Sequence, residues 1–165
     1  MINTLLKWLM KSRIPRIEYF KKEPFVVQEE CRKMLTEVAS DTKWGVQYKF
    51  NKIRTAKDFS KHMPVQTYES IKPYIDRILK GEQNVLWSSP INWFAKSSGT
   101  TADKSKFIPV SNEALEECHY KGGKDLIALY FKNYPATKVF AGKNLVIGGS
   151  AEISKLNNNI QIGDL

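Results

Sequence analysis

The residues best suited to chemistry lie in one short segment, Ser97 to Pro109, which reads S-S-G-T-T-A-D-K-S-K-F-I-P. Hydroxyl side chains and a glycine come together there, and two lysines, Lys104 and Lys106, follow them. Small residues let the backbone form a concave nest of N–H donors, the hydroxyls add further donors, and lysine supplies positive charge. This combination predicts a phosphate-binding loop, and the alternative is a polar hairpin loop without function.

The segment comes close to a Walker A loop without completing one. That loop reads G-x-x-x-x-G-K-[ST], and Gly99 to Ser105 nearly offers it, but no glycine precedes Lys104. A Walker loop also places phosphate at a helix N-terminus, whereas Lys106 to Val110 has the apolar pattern of a strand. A kinase-like or Walker-like nucleotide-binding protein is therefore an alternative that the predicted strand disfavours.

Composition bounds the class of protein that carries this loop. The chain has 165 residues, of which 42% are hydrophobic and 12% aromatic, as expected for a globular protein with a core. The net charge of +9 comes mostly from dispersed lysines, which predicts a solvated basic surface rather than a nucleic-acid footprint. A basic module that binds nucleic acid or an acidic partner stays open as the non-enzymatic alternative. Cys31 and Cys118 have no zinc-ligand spacing, which predicts no metal-ligating residues and a reducing compartment, the cytoplasm.

Periodicity predicts helices in the first half of the chain. Ile2, Leu5, Leu6 and Leu9 share one face of an N-terminal helix, which is too short to span a membrane and is expected to dock on the protein. A second helix is predicted from Pro24 to about Ser40, with a buried stripe and an end at Trp44-Gly45. The stripe comprises Val26, Val27, Cys31, Met34, Leu35 and Val38.

Capping residues predict two further helices. Thr55, with Asp58 three residues later, begins a short helix that closes before Met63-Pro64. Thr67 begins the next, Tyr68 to Lys80, which ends at Gly81 and which Pro73 should kink or split.

The second half of the chain alternates strands with one long helix, so the predicted fold class is α/β in a single piece, residues 1–165. Strands are predicted at Val85 to Trp87, at Ile91 to Ala95 and at Lys106 to Val110, so the phosphate-type loop joins strand to strand. The remaining elements are a helix from Ser111 to Pro135 that Gly122-Gly123 interrupts and a buried strand from Asn144 to Ile147.

Two segments resemble a known family. The sequence from Ser97 to Pro109 resembles the first ATP-binding motif of the Gretchen Hagen acyl-acid amido synthetases, the auxin- and jasmonate-conjugating branch of the adenylate-forming, luciferase-like superfamily. Met63 to Glu82, M-P-V-Q-T-Y-E-S-I-K-P-Y-I-D-R-I-L-K-G-E, resembles the segment that precedes this motif in the family. Both segments occur in the family's order and spacing, so the resemblance covers the chain from Met1 to Leu165.

The resemblance implies a site and a reaction. Ser97, Ser98, Gly99, Thr100 and Thr101 occupy the family's phosphate-loop positions, and Lys106 is its closing, catalytic lysine. Lys104 lies where the pattern varies, and Asp103 stands where glycine is usual. The implied enzyme uses ATP and Mg2+ to convert a small carboxylic acid to an acyl-adenylate and joins it to an amino acid, with neither nucleic acid nor membrane as a partner.

The family's later motifs and its C-terminal domain have no counterpart in these residues. We therefore expect residues 1–165 to be the N-terminal portion of a large adenylation domain, a fragment that is inactive alone. Which acid and which amino acid are joined is left open, as is the oligomeric state.

Overall fold

The computed structural model of the chain describes residues 2–97, 105–143, 145, 153–156 and 160–163. The helices and strands among these residues follow one another as α1 (Ile2–Lys11), α2 (Ile14–Lys22), α3 (Pro24–Val38), α4 (Lys43–Gln47), a 3-10 turn (Phe50–Lys52), α5 (Ala56–His62), α6 (Tyr68–Leu79), β1 (Trp93–Lys96), β2 (Phe107–Val110), a π-helix (Ala114–Tyr120), α7 (Lys121–Asn133), β3 (Ser154–Lys155) and β4 (Gln161–Gly163).

Residue contacts divide the chain into two compact units, each built from two separate stretches of sequence. The first unit comprises residues 1–27 and 113–148, and the second comprises residues 28–112 and 149–165. The phosphate-type segment belongs to the second unit. The expectation of one uninterrupted adenylation-domain portion stays a prediction.

In the first unit, α7 packs against α1 and α2. Arg13 forms an ion pair with Asp125, and Lys132 forms one with Glu18 at 2.5 Å. The predicted N-terminal helix is confirmed, but Leu5 and Leu9 on its apolar face are exposed. Its docking on the protein is therefore only partial.

The long helix predicted after Ser111 has an irregular first half. A π-helix spans Ala114–Tyr120, and α7 then runs through Gly122-Gly123 without a break and ends at Asn133, before Pro135. A π-helix closes its hydrogen bonds over five residues instead of four. The irregularity thus precedes the two glycines at which an interruption was predicted.

The stripe predicted to be buried on α3 is largely exposed. Met34, Leu35 and Val38 are each more than 40% exposed, whereas Thr36 and Ala39 are buried. Ala39 packs with Trp44, Phe50 and Ile53 in one hydrophobic cluster. The prediction was wrong because the helix buries the face that carries Thr36, not its most apolar face.

The capping predictions for the second unit are confirmed. Thr55 and Asp58 form a complete capping box at the start of α5, and Thr67 accepts a hydrogen bond from the Ser70 N–H at the start of α6. Gly81 follows α6 with φ of +94°, which suits glycine. Helix α6 is not split by Pro73, which lies within it on an exposed surface.

The sheet in the second unit has the order β2-β1-β4-β3, with β1 antiparallel to β2 and parallel to β4. Phe94 of β1 is fully buried in a cluster with helix residues of α6 and with Ile160. Helices on a mixed four-stranded sheet confirm the α/β class. Two further strands were predicted. The one at Asn144 to Ile147 lies outside the described residues, apart from Leu145. The other, at Val85 to Trp87, is not found.

Residues 85–87 form bends, not a strand. The Asn84 and Val85 carbonyls accept hydrogen bonds from the Lys43 and Trp44 N–H groups at 3.1 and 3.0 Å. Because these are among the first N–H groups of α4, which lack partners within their helix, the segment caps a helix instead of joining the sheet.

Candidate phosphate-binding site

The candidate site is built on the hairpin formed by β1 and β2. The two strands pair from Trp93 opposite Val110 to Lys96 opposite Phe107, so the phosphate-type loop connects them directly. The predicted strand-to-strand connection is confirmed. Because a strand follows the loop, the helix N-terminus that a Walker site requires is not present at β2.

Ser97 and Lys106 close the base of this loop. The Ser97 N–H donates to the Lys106 carbonyl at 2.9 Å, and the Lys106 N–H donates to Ser97 Oγ at 3.1 Å. The first and last of the predicted site residues are thereby brought together. Ser98, Gly99, Thr100 and Thr101 lie outside the described residues, as do Asp103 and Lys104, so their roles stay predictions.

The Ser97 hydroxyl can form more hydrogen bonds than the one it accepts from the Lys106 N–H. A serine hydroxyl accepts through two lone pairs and also donates one proton. In accepting from the Lys106 N–H it keeps that proton for another acceptor, such as a phosphate oxygen. The same side chain can therefore shape the loop and bind its ligand.

The base of the loop rests on a rigid support. Ala95 is 3% exposed and Phe94 is 0% exposed, and β1 lies inside the sheet between β2 and β4. Interior positions of this kind fix the backbone, because any movement would disturb close packing. Ser97 follows directly from this strand, so its position is set by the core.

A residue that the sequence did not single out also meets the hairpin. The Phe107 N–H donates to the Tyr68 hydroxyl at 3.0 Å, and the Lys106 ammonium lies 5.6 Å from the centre of the Tyr68 ring. Tyr68 is the first residue of α6. The available signal was its place in the Met63 to Glu82 segment, because local patterns do not reveal contacts between distant residues.

The end of the same segment has a structural task. Glu82 accepts two hydrogen bonds from Arg77, at 2.7 and 2.8 Å, and also pairs with Lys43. The paired arginine bonds hold the chain where it leaves α6. Glu82 thus ties α6 to α4.

Metal ligands are not grouped in the described part of the chain. Residues 2–97, 105–143, 145, 153–156 and 160–163 contain no set of three or more His, Cys, Asp or Glu side chains placed to hold a metal ion. Cys31 and Cys118 are free thiols on the surface, and His62 Nδ1 lies 2.9 Å from the Asp58 carbonyl oxygen. None of the helices in these ranges is long and apolar enough to cross a membrane.

Residues 13–164 match the GH3 family N-terminal domain. The chain belongs to this family. Two relatives illustrate the similarity. Jasmonoyl-L-amino acid synthetase JAR4 of Nicotiana attenuata is 32% identical over 104 residues, 62% of this chain and 18% of JAR4. Indole-3-acetic acid-amido synthetase GH3.2 of Arabidopsis thaliana is 35% identical over 101 residues, 61% of this chain and 18% of GH3.2.

Solved GH3 structures share the fold. The GH3.15 acyl acid amido synthetase superposes with a TM-score of 0.80 and 26% identity over 93% of this chain and 27% of its own. A structure of AtGH3.15 in complex with 2,4-DB has the same TM-score and identity. The chain spans about a fifth of the length of the curated relatives described above and about a quarter of these structures.

Proposed function

We propose that this GH3 chain forms the part of an acyl-acid amido synthetase that binds the phosphates of ATP. The observation that carries the proposal is the hairpin base, where Ser97 and Lys106 are joined by two hydrogen bonds and frame a loop of small and hydroxyl residues. The named activities of the relatives, which conjugate acids to amino acids, support the reaction class.

The chemistry explains why phosphate contacts are needed. A carboxylate resists attack by an amine because oxide is a poor leaving group. In the proposed reaction, ATP enters as a substrate and the carboxylate oxygen attacks its α-phosphorus, giving an acyl-adenylate and pyrophosphate. The amine of an amino acid then attacks the acyl carbon, an amide forms, and AMP leaves.

The residues of the loop would act in the first step. Negative charge accumulates on the departing pyrophosphate, and donors already aimed at that position lower the barrier without reorganising. Lys106 would supply a positive charge, and the hydroxyls and backbone N–H groups of Ser97 to Thr101 would supply hydrogen bonds. Lys106 is therefore the proposed catalytic residue.

Magnesium belongs to the proposal only as a companion of the nucleotide. The described residues offer no carboxylate cluster that would hold the ion by themselves. Magnesium is often bound through substrate phosphates together with one or two carboxylates. The proposed step therefore rests on the donors of this chain.

The test is a comparison of two lysines in ATP–pyrophosphate exchange on the full-length protein, screened over carboxylic acids. Lys106→Ala should lower the exchange rate by about 100-fold, the order expected for loss of one preorganised transition-state contact. Lys104→Ala is the matched control, because it removes the same charge from a position where the family pattern varies. Small and equal effects of the two substitutions would reject the assignment of Lys106.

A further inference from the structure

Tyr68 makes two contacts with consecutive residues at the base of the loop. Its hydroxyl accepts the Phe107 N–H at 3.0 Å, and its ring lies beneath the Lys106 ammonium, 5.6 Å from the nitrogen to the ring centre. Both contacts lie within the second unit. The tyrosine thus touches the backbone that closes the hairpin and the side chain proposed to meet phosphate.

The hydrogen-bond pattern of the hairpin explains the first contact. Ser97 and Lys106 are linked by backbone hydrogen bonding, so the neighbouring pair, Lys96 and Phe107, is of the non-hydrogen-bonded kind. The Phe107 N–H therefore points away from β1. Because β2 is the end strand among the strands that the structure describes, this donor faces away from them, and the Tyr68 hydroxyl accepts its hydrogen bond.

The ring explains the second contact. The face of a tyrosine ring carries partial negative charge and attracts a cation. An ammonium group has three N–H donors, so it can face a ring on one side and a phosphate on another. The ring therefore restricts where the Lys106 ammonium can lie.

Tyr68 is itself held in place. It follows Thr67, whose side chain accepts from the Ser70 N–H at 3.3 Å, while Ser70 Oγ accepts from the Thr67 N–H at 3.0 Å. Its ring packs against the cluster that contains Phe94 and Ile78. A side chain fixed in this way can orient a neighbour, since its own conformation is set by the helix start and the core.

We propose that Tyr68 is a positioning residue that orients Lys106 and the closing strand of the loop toward a polyphosphate. The proposal rests on the proposed function, because it assumes that the loop binds phosphate. It also gives the Met63 to Glu82 segment a part in binding, since α6 presents Tyr68 to the hairpin.

The experiment titrates inorganic pyrophosphate into the full-length protein and its variants and measures binding by calorimetry. In the proteins that keep Lys106, NMR also follows the Lys106 ε-methylene signals, which are assigned with Lys106→Arg. We expect Lys106→Ala to weaken binding by at least about ten-fold. Tyr68→Phe, which keeps the ring, should weaken binding by about two- to five-fold. Tyr68→Leu, which removes ring and hydroxyl, should weaken it by about ten-fold or more.

The spectra separate positioning from general loss of structure. Ring currents should displace the Lys106 ε-methylene signals in the wild type and in Tyr68→Phe, and this displacement should vanish in Tyr68→Leu. Tyr74→Phe is the matched control, because it removes a hydroxyl on the same helix that donates to Gln47 and not to the hairpin. It should leave both readouts unchanged.

Each contrary outcome has one meaning. If Lys106→Ala weakens binding while both Tyr68 variants bind like the wild type, the role of Tyr68 is rejected and the phosphate loop stands. If the wild type does not bind pyrophosphate, or Lys106→Ala binds equally well, the proposed function fails and the Tyr68 role fails with it. Should Tyr68→Leu not fold, Tyr68→Phe decides, since unaltered binding by that variant rejects the hydroxyl contact.

Discussion

Gly45 should be the least replaceable glycine in the described part of the chain. A Cβ atom at this position would lie 1.9 Å from the Ala39 carbonyl oxygen and 2.9 Å from the Ser40 carbonyl oxygen. These are backbone atoms, so a rotamer change cannot relieve the overlap. Gly45→Ala therefore requires the backbone at the end of α3 to separate from α4.

The cost follows from the contacts that hold this backbone. Thr42 donates to the Ala39 carbonyl through its N–H at 3.1 Å and through Oγ1 at 2.7 Å, and Thr42 Oγ1 accepts the Gly45 N–H at 2.9 Å. Separating these segments would break three hydrogen bonds, which costs about 1 kcal/mol each, and overpacking adds about 2 kcal/mol. The better helix propensity of alanine recovers only about 1 kcal/mol of this loss. The free energy of unfolding should fall by about 4 kcal/mol.

Urea unfolding followed by tryptophan fluorescence measures this change, since Trp44 is buried beside Gly45. With a urea dependence of about 2 kcal/mol per molar, the midpoint should fall by about 2 M. Gly122→Ala is the control, because Gly122 is also helical but its added Cβ would meet nothing within 4 Å apart from its chain neighbours and its own helix backbone. This substitution should raise stability by about 0.5 to 1 kcal/mol. Equal effects of the two substitutions would refute the steric reasoning.

Two further predictions concern the capping box and the loop base. The Thr55 hydroxyl and the Arg54 and Thr55 N–H groups donate to Asp58 and hold its pKa below the ordinary value. The Asp58 carboxylate therefore stabilises the fold at pH values above its unfolded pKa of about 3.9. This stabilisation is lost as the pH falls through the pKa of the folded state. Asp58→Asn should therefore flatten the dependence of the urea midpoint on pH below about pH 5, and an unchanged acid slope would contradict this. At the base of the loop, Ser97→Ala should weaken pyrophosphate binding by about two- to ten-fold, whereas Ser97→Thr, which keeps a hydroxyl, should retain most of the affinity. Equal affinities of the two variants in calorimetry would reject a binding role for the Ser97 hydroxyl.

Sequence predicted the elements whose signals are local. Thr55 with Asp58 specifies a helix start within four residues, and Gly81 specifies a helix end because its φ of +94° suits glycine. Capping free energy is determined by neighbours in the chain, so it can be recognised without knowing the fold. The hydroxyl residues and Lys106 suggested phosphate chemistry for the same reason.

Prediction from the sequence failed where a contact between residues far apart in the chain determines the local structure. The apolar residues of α3 show which face is hydrophobic, but not which face the protein covers, and Leu35 is exposed while Thr36 is buried. Val85 to Trp87 has strand propensity, yet the Val85 carbonyl accepts from Trp44 at the start of α4. Tyr68 reads as an ordinary first residue of a helix, because its two partners at the loop lie far along the chain.

The parallel pairing of β1 with β4 has a consequence for synthesis on the ribosome. Ile160, which is fully buried in the cluster with Phe94, leaves the ribosome several seconds after Phe94 at the usual rate of about 5 to 20 residues per second. During that interval the residues of the intervening unit emerge while the core beneath the loop lacks one of its members. The nascent chain must therefore keep Phe94 and its neighbours from aggregating until β4 arrives, a task for which chaperones exist.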